Sequence, residues 1–367
     1  MLALLASTVN NDISITASLL PVDDFTWNEL INLARRHGVL ALVFPILQHL
    51  PREVLPSQKL LLKIIGHVEY QKKRYFTQFV EANKFASALK EKGVEMKVLK
   101  GISFSTFYET PELRECGDCD CYLSVIKNIG KQKSPGADGF EIGNETALEL
   151  GGFLEFGSYK HSHLFLNKLL FENHHYITDF NGTRQGKKIE LLLEDSLERE
   201  LGKQIGSSEL VRPCSHFCAL HCLRHAQGNL MLGGMSLRMI YDWAMILRSE
   251  QGNIDWERMK NDLTDMRLLE FARVISSLCE QYFGLKITST DVLRSESDTV
   301  VYDILLDTLR KSEHIKTDES IWQKALRILR RFKRMYHYRE LATESFPMMI
   351  WNTFTFSSYL RRDISLK

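Results

Sequence analysis

The chain has 367 residues, 44% of them hydrophobic, enough for two domains or three small ones around a sizeable core. With 47 Lys and Arg against 46 Asp and Glu, no chain-wide field attracts nucleic acid or anionic lipid, so any basic surface is local. Seven cysteines, an odd number in a chain this long, do not suit a secreted disulfide framework and fit a reducing compartment. The opening "MLALLAS" is too short for a membrane span and lacks a charged lead-in, so a cytoplasmic protein without stable membrane association is expected.

From residue 1 to about 90, apolar groups recur at helical spacing, as in "DDFTWNELINLARRHGVLALVFPILQHL" and "FTQFVEANKFASALKEKG". Gly93 is a helix stop, and "VEMKVL" after it alternates Val94, Met96 and Val98 with Glu95 and Lys97, the period of a strand with one buried face. Lys100-Gly101 makes a turn, "ISFSTFYE" has room for a short helix, and Pro111 interrupts it. "DCDCYLS" then resumes a strand, with Asp118, Asp120 and Tyr122 on one side and Cys119, Cys121 and Leu123 on the other. Residues 127 to 152, rich in Gly, Lys and Asn, suggest an insertion or loop. "NHHYITDF" and "KKIELLL", joined by "NGTRQG", suggest a hairpin turning at Asn181-Gly182, with the sheet region ending near residue 195. From Pro213 the pattern is helical almost to the end. The expected fold is α+β, with a helical N-terminal segment (1–92), a small mixed-sheet palm (93–210) and a helical C-terminal domain (211–367).

Side chains two apart on a strand sit about 6 to 7 Å apart at Cα on one face, so Asp118 and Asp120 can share a hard cation held by oxygen, such as magnesium. The alternative is a solvated strand edge. A third carboxylate from a neighbouring strand would strengthen the metal reading. Glu190 in "KKIELLLE", opposite in period to Ile189, Leu191 and Leu193, is the candidate.

The order Leu99-Lys100-Gly101, Tyr108, Arg114 and Gly117-Asp118-Cys119-Asp120 resembles the nucleotidyltransferase superfamily that shares the DNA polymerase beta palm, and within it an uncharacterised bacterial subfamily. The likeness continues through Glu190-Leu191-Leu192, where the subfamily has Glu-Leu-His, then His221 and His225, then Asp242, and covers roughly residues 20 to 345. It departs at Ile102, where superfamily members usually have Ser or Gly, and at Leu192. The resemblance implies transfer of a nucleoside monophosphate from a nucleoside triphosphate to a hydroxyl-type acceptor, a small molecule, an RNA or a protein, using two magnesium ions (Mg2+). On this pattern Asp118 and Asp120 bind metal, and Glu190 completes the site as ligand or base. Lys100, Gly101, Ser103 and Arg114 would contact the triphosphate. A competing class keeps the palm as an inactive binding module for nucleotide, RNA or a protein partner.

Cys116, Cys119 and Cys121 have spacing that zinc can use, although alternation places two of them on the buried face. Cys214, Cys218 and Cys222 recur every four residues beside His221 and His225, a pattern that suits a buried helix face better than a metal site. From Trp322 to Arg339 there are seven Lys or Arg and no acid, with an apolar stripe of Trp322, Leu326, Leu329, Phe332 and Tyr336. That segment suits a helix packed on the core, with an RNA-binding surface as the sharper alternative and a membrane-surface helix as a third.

Overall fold

The structure, a computed structural model, describes residues 1–126, 139–155, 157–179, 183–288, 290–294, 297–310 and 320–353. Two compact units form: one from Tyr70–His221, the other from Met1–Glu69 with the described residues from Cys222 onward.

The chain begins with α1 (Leu2–Asn10), α2 (Ser14–Ala17), α3 (Asp24–Arg36), α4 (Phe44–His49) and the long α5 (Gln58–Glu91). The helical lead-in expected from periodicity is present. Asp23 caps α3 by accepting from the Thr26 amide, and Trp27, Ile31 and Ala34 bury the face that their spacing defines.

Next come β1 (Val94–Val98), the one-turn α6 (Ile102–Ser105), β2 (Cys119–Val125), α7 (Gly139–Glu149), β3 (Phe153–Glu155), β4 (His161–Leu166), β5 (Leu169–His174), α8 (Arg184–Arg199), β6 (Lys203–Gln204) and β7 (Val211–Arg212). The strands form one mixed sheet in the order β3-β4-β5-β2-β1-β7-β6. β2 runs parallel to β5 and β1 parallel to β7, while the remaining neighbours are antiparallel. One face carries the core: Val94, Met96, Val98, Cys119, Cys121, Leu123, Leu164 and Phe171 close on Phe85 and Leu89 of α5. Phe85 meets Phe171 edge-on at 5.7 Å between centroids, a geometry that adds to simple area burial.

Four expectations for this region are corrected. The described part of the 127–152 stretch is α7 rather than a loop; its glycines serve close packing, since a Cβ at Gly139 would lie 2.2 Å from the Leu123 carbonyl oxygen. The hairpin lies earlier than expected, between β4 and β5, where Asn167 and Lys168 both take positive φ (48° and 68°), the signature of a type I′ turn. Asn181-Gly182 falls outside the described residues. "KKIELLL" is helix, inside α8: Ile189, Leu193 and Leu197 are buried at helical spacing, and Thr183 caps the helix by accepting from the Gly186 amide. The sheet also extends past residue 195, through β6 and β7.

The remainder is helical as expected: α9 (Ser215–Leu232), α10 (Leu237–Glu250), α11 (Trp256–Asp265), α12 (Leu269–Phe283), α13 (Thr290–Leu293), α14 (Asp298–Leu309) and α15 (Ile321–His337). Buried Trp243 of α10 donates its indole N–H to Ser276 of α12 at 2.9 Å. Along α15 the apolar stripe is not buried among the described residues: Trp322 is 81% exposed and Leu329 64%, whereas Met335 and the following Tyr338 are buried. Among the described residues, no helix is long and apolar enough to cross a membrane.

Candidate active site

The face of the sheet opposite the core collects polar groups from three adjacent strands. Alternation along β2 turns Asp120 away from Cys119 and Cys121, and Asp118 immediately precedes the strand. β5 lies parallel to β2 with Glu172 opposite Asp120 and His174 opposite Tyr122. Antiparallel β4 places His163 opposite Glu172 and His161 opposite His174. Two carboxylates and three imidazoles therefore share one face because the three strands are in phase.

Asp120 is almost fully buried, at 1% exposure. Its Oδ1 accepts from the Lys100 ammonium at 2.8 Å and lies 3.2 Å from Nε2 of His174, whose Nδ1 donates to the Tyr176 carbonyl at 2.9 Å. Burial alone would push the Asp120 carboxyl up; the Lys100 ammonium and the His174 hydrogen bond outweigh it and hold the group well below the usual carboxylate range. Burial likewise opposes the charge on Lys100, and Asp120 and Asp118 raise its proton affinity above the ordinary value. Asp118 is raised, by burial first and by the negative charge of Asp120 second. Glu172 is lowered: its burial is outweighed mainly by the bond from His174.

The second oxygen of Asp120, Oδ2, is buried without a hydrogen-bond partner. Such an orphaned acceptor costs about 1–3 kcal/mol, and a cation would relieve that cost. Among the described residues, two groups of side chains have ligand atoms all within 4.8 Å of one another: Asp120, Glu172 and His174, and His161, His163 and Glu172. The carboxylate oxygens supply hard donors that suit magnesium.

Beside these groups the Lys100-Gly101 turn brings the backbone close. Gly101 has φ 62° and ψ −112°, and a Cβ there would meet the Asp118 carbonyl oxygen at 3.2 Å. A side chain is thus disfavoured by the backbone conformation and would crowd that carbonyl. Ser103, fully buried in α6, has an Oγ without a hydrogen-bond partner. Arg114 is buried; its guanidinium donates to the Gly101 carbonyl at 3.2 Å and lies 5.7 Å from the Phe104 ring centroid, so it braces the turn.

Glu190 lies elsewhere. On α8, and 4% exposed, its carboxylate accepts from the Ile177 amide at 2.6 Å and the Thr178 amide at 2.9 Å; like Asp118 it belongs to neither ligand group, but unlike Asp118 it has no place beside Asp120 in the chain. The strand carboxylate beside Asp120 is Glu172, which the sequence reading missed. Its signal was the spacing Glu172-Asn173-His174, a Glu-x-His run that "IELLL" lacks. His221 is buried, with its ring stacked on Phe217 at 5.4 Å, and burial pushes it down to about 3. His225 on α9 accepts from the Asn229 amide through its carbonyl at 2.9 Å. All seven cysteines are free and buried, and none belongs to either ligand group among the described residues. Cys119 and Cys121 act as small core hydrophobes whose thiols burial pushes up.

No curated protein and no solved structure shows significant similarity to the chain. The family model described as "Uncharacterised nucleotidyltransferase" matches residues 23–284, well over half of the chain and every residue of the site just described. With that match, the chain belongs to this uncharacterised nucleotidyltransferase family.

Proposed function

We propose that this chain transfers a nucleoside monophosphate from a nucleoside triphosphate to a hydroxyl-type acceptor, with Asp118, Asp120 and Glu172 holding the magnesium that such a reaction uses. The observation that carries the reading is the parallel register of β2 and β5, which sets Glu172 beside Asp120. Magnesium, when bound, supplies charge stabilisation to the attacking and leaving oxygens of an in-line displacement. Lys100 keeps Asp120 ionised and offers an ammonium to phosphate oxygens. Gly101 lets phosphate approach the main chain, and the buried Ser103 hydroxyl is a donor without a protein partner. The acceptor oxygen forms a bond to the α-phosphorus while the bridging P–O bond breaks and pyrophosphate leaves. The hydroxyl proton leaves to solvent as that bond forms, and Asp118 and Asp120 stay ionised as ligands.

The test is binding of the four ribonucleoside triphosphates, with and without magnesium, to wild type, the Asp118→Ala/Asp120→Ala double variant, Glu172→Gln and Glu190→Gln. Magnesium-dependent binding is expected in wild type and Glu190→Gln, and loss of it in the other two. Binding indifferent to Asp118, Asp120 and Glu172 would sink the assignment. Tight binding with no pyrophosphate released in any acceptor screen would instead favour a nucleotide-holding module.

A further inference from the structure

The histidines of β4 lie beyond the carboxylate pair and have no part in the transfer just described. His161 and His163 stack at 5.1 Å between centroids with an interplanar angle of 21°, and both rings turn Nε2 toward one carboxylate. Nε2 of His161 is 3.5 Å from Glu172 Oε2, and Nε2 of His163 is 3.8 Å from Glu172 Oε1. Both separations exceed the range of about 2.7–3.2 Å for a good N–H···O bond. They are close instead to the edge of a tetrahedral site, where ligands about 2.0–2.2 Å from a shared cation stand about 3.3–3.6 Å apart.

The surroundings of the rings complete the picture. Nδ1 of His161 is buried without a hydrogen-bond partner, and Nε2 is the nitrogen directed at Glu172. The rings are also backed by main chain at Gly157, where a Cβ would lie 2.9 Å from both His161 Nδ1 and His163 Cδ2. Any side chain at position 157 would have to displace the imidazoles, so glycine lets the loop rest directly against the pair.

We infer that His161, His163 and Glu172 form a second metal site, selective for a first-row transition cation of the zinc class rather than for magnesium. Two imidazoles and one carboxylate are the donor set such ions prefer, and imidazole nitrogen is a poor ligand for magnesium. Three protein ligands leave the fourth position to water or a substrate oxygen. Because Glu172 also serves the proposed magnesium site, occupancy here fixes the orientation of that carboxylate, as outer ligands do in metal centres generally. The inference shares Glu172 with the transferase reading but rests on the histidines.

Cobalt(II) is the probe, titrated into the full-length, metal-stripped chain, because nitrogen ligation in a four-coordinate site gives visible absorption that an all-oxygen octahedral site gives only weakly. One equivalent with a visible band is expected in wild type, displaced by zinc and not by millimolar magnesium. Affinity should fall at least about tenfold in His163→Ala and in the milder His163→Gln, and persist in Asp118→Asn. A chain without the band, a band indifferent to both His163 variants, or one abolished by Asp118→Asn would overturn the site. Failure of nucleotide binding alone would leave the cobalt titration unchanged, so the two readings fail separately.

Discussion

Glu190 offers a sharp test of what burial does to a carboxyl. The group is 4% exposed, and burial pushes it up to about 7, partly offset by the Ile177 and Thr178 amides; Glu194 on the next turn raises it further and Lys160 lowers it. In the unfolded chain the same carboxyl titrates near its ordinary 4.5. Below that pH it is protonated in both states and the difference contributes nothing. As pH rises toward 7 the unfolded chain ionises first, so native stability falls, by about 3 kcal/mol once both states are ionised, at about 1.36 kcal/mol per pH unit. Glu190→Gln removes the titration but keeps an amide oxygen to accept. Urea unfolding of both proteins from pH 4 to 8 should therefore show a stability difference that moves in favour of the variant, by about 2 kcal/mol near pH 6 and about 3 kcal/mol near pH 8. A difference constant across the range would show that burial does not govern this carboxyl. A shift in the opposite direction would mean that the two amide donors dominate.

Gly101→Ala should destabilise the chain by about 1–3 kcal/mol, because the residue takes a conformation open to glycine and its Cβ would press on the Asp118 carbonyl; urea unfolding reads it, and a neutral result would refute the close approach. Lys100→Met leaves Asp120 buried with the His174 ring as its remaining hydrogen-bond partner, at a cost of about 2 kcal/mol, less than for a fully enclosed pair because the Lys100 side chain is 18% exposed. Adding Asp120→Asn should recover most of that loss, and a double-mutant cycle showing no coupling would exclude the pair as a stabilising contact. Phe171→Ala removes a fully buried ring that meets Phe85, and a loss of about 3–5 kcal/mol in thermal or urea unfolding is expected; under 1 kcal/mol would show that the core collapses around the gap.

How much the sequence revealed depended on whether a period had one meaning. Val94, Met96 and Val98, then Cys119, Cys121 and Leu123, alternate cleanly, and all six lie in the core with the aspartates on the other face. "KKIELLLEDSLERE" supports two periods at once: Ile189, Leu191 and Leu193 alternate, but Ile189, Leu193 and Leu197 also lie one turn apart, and the helix with its Thr183 cap is the form adopted. That ambiguity moved Glu190 onto a strand and hid Glu172. Glu172 was hard to see for another reason, since its neighbour on the other face, Asn173, is polar and buried, donating to the Phe140 carbonyl and to Asn144 of α7. A strand whose inner face carries an amide that donates to a helix about 30 residues earlier shows no hydrophobic alternation to find.

The parallel pairing of β2 with β5 also determines when the site can exist. β1 and β2 are close in sequence, and the antiparallel pair they form already sets Lys100 beside Asp120. Glu172 arrives only after the chain closes a loop of about 50 residues, which costs about 3–4 kcal/mol of chain entropy before any contact repays it. Assembly of the three carboxylates is thus a late event in folding, after the local pair and the β4–β5 hairpin have formed separately. A cation taken up by the proposed site has nothing complete to bind before that closure, so on this reading it should leave the folding rate unchanged and act by slowing unfolding.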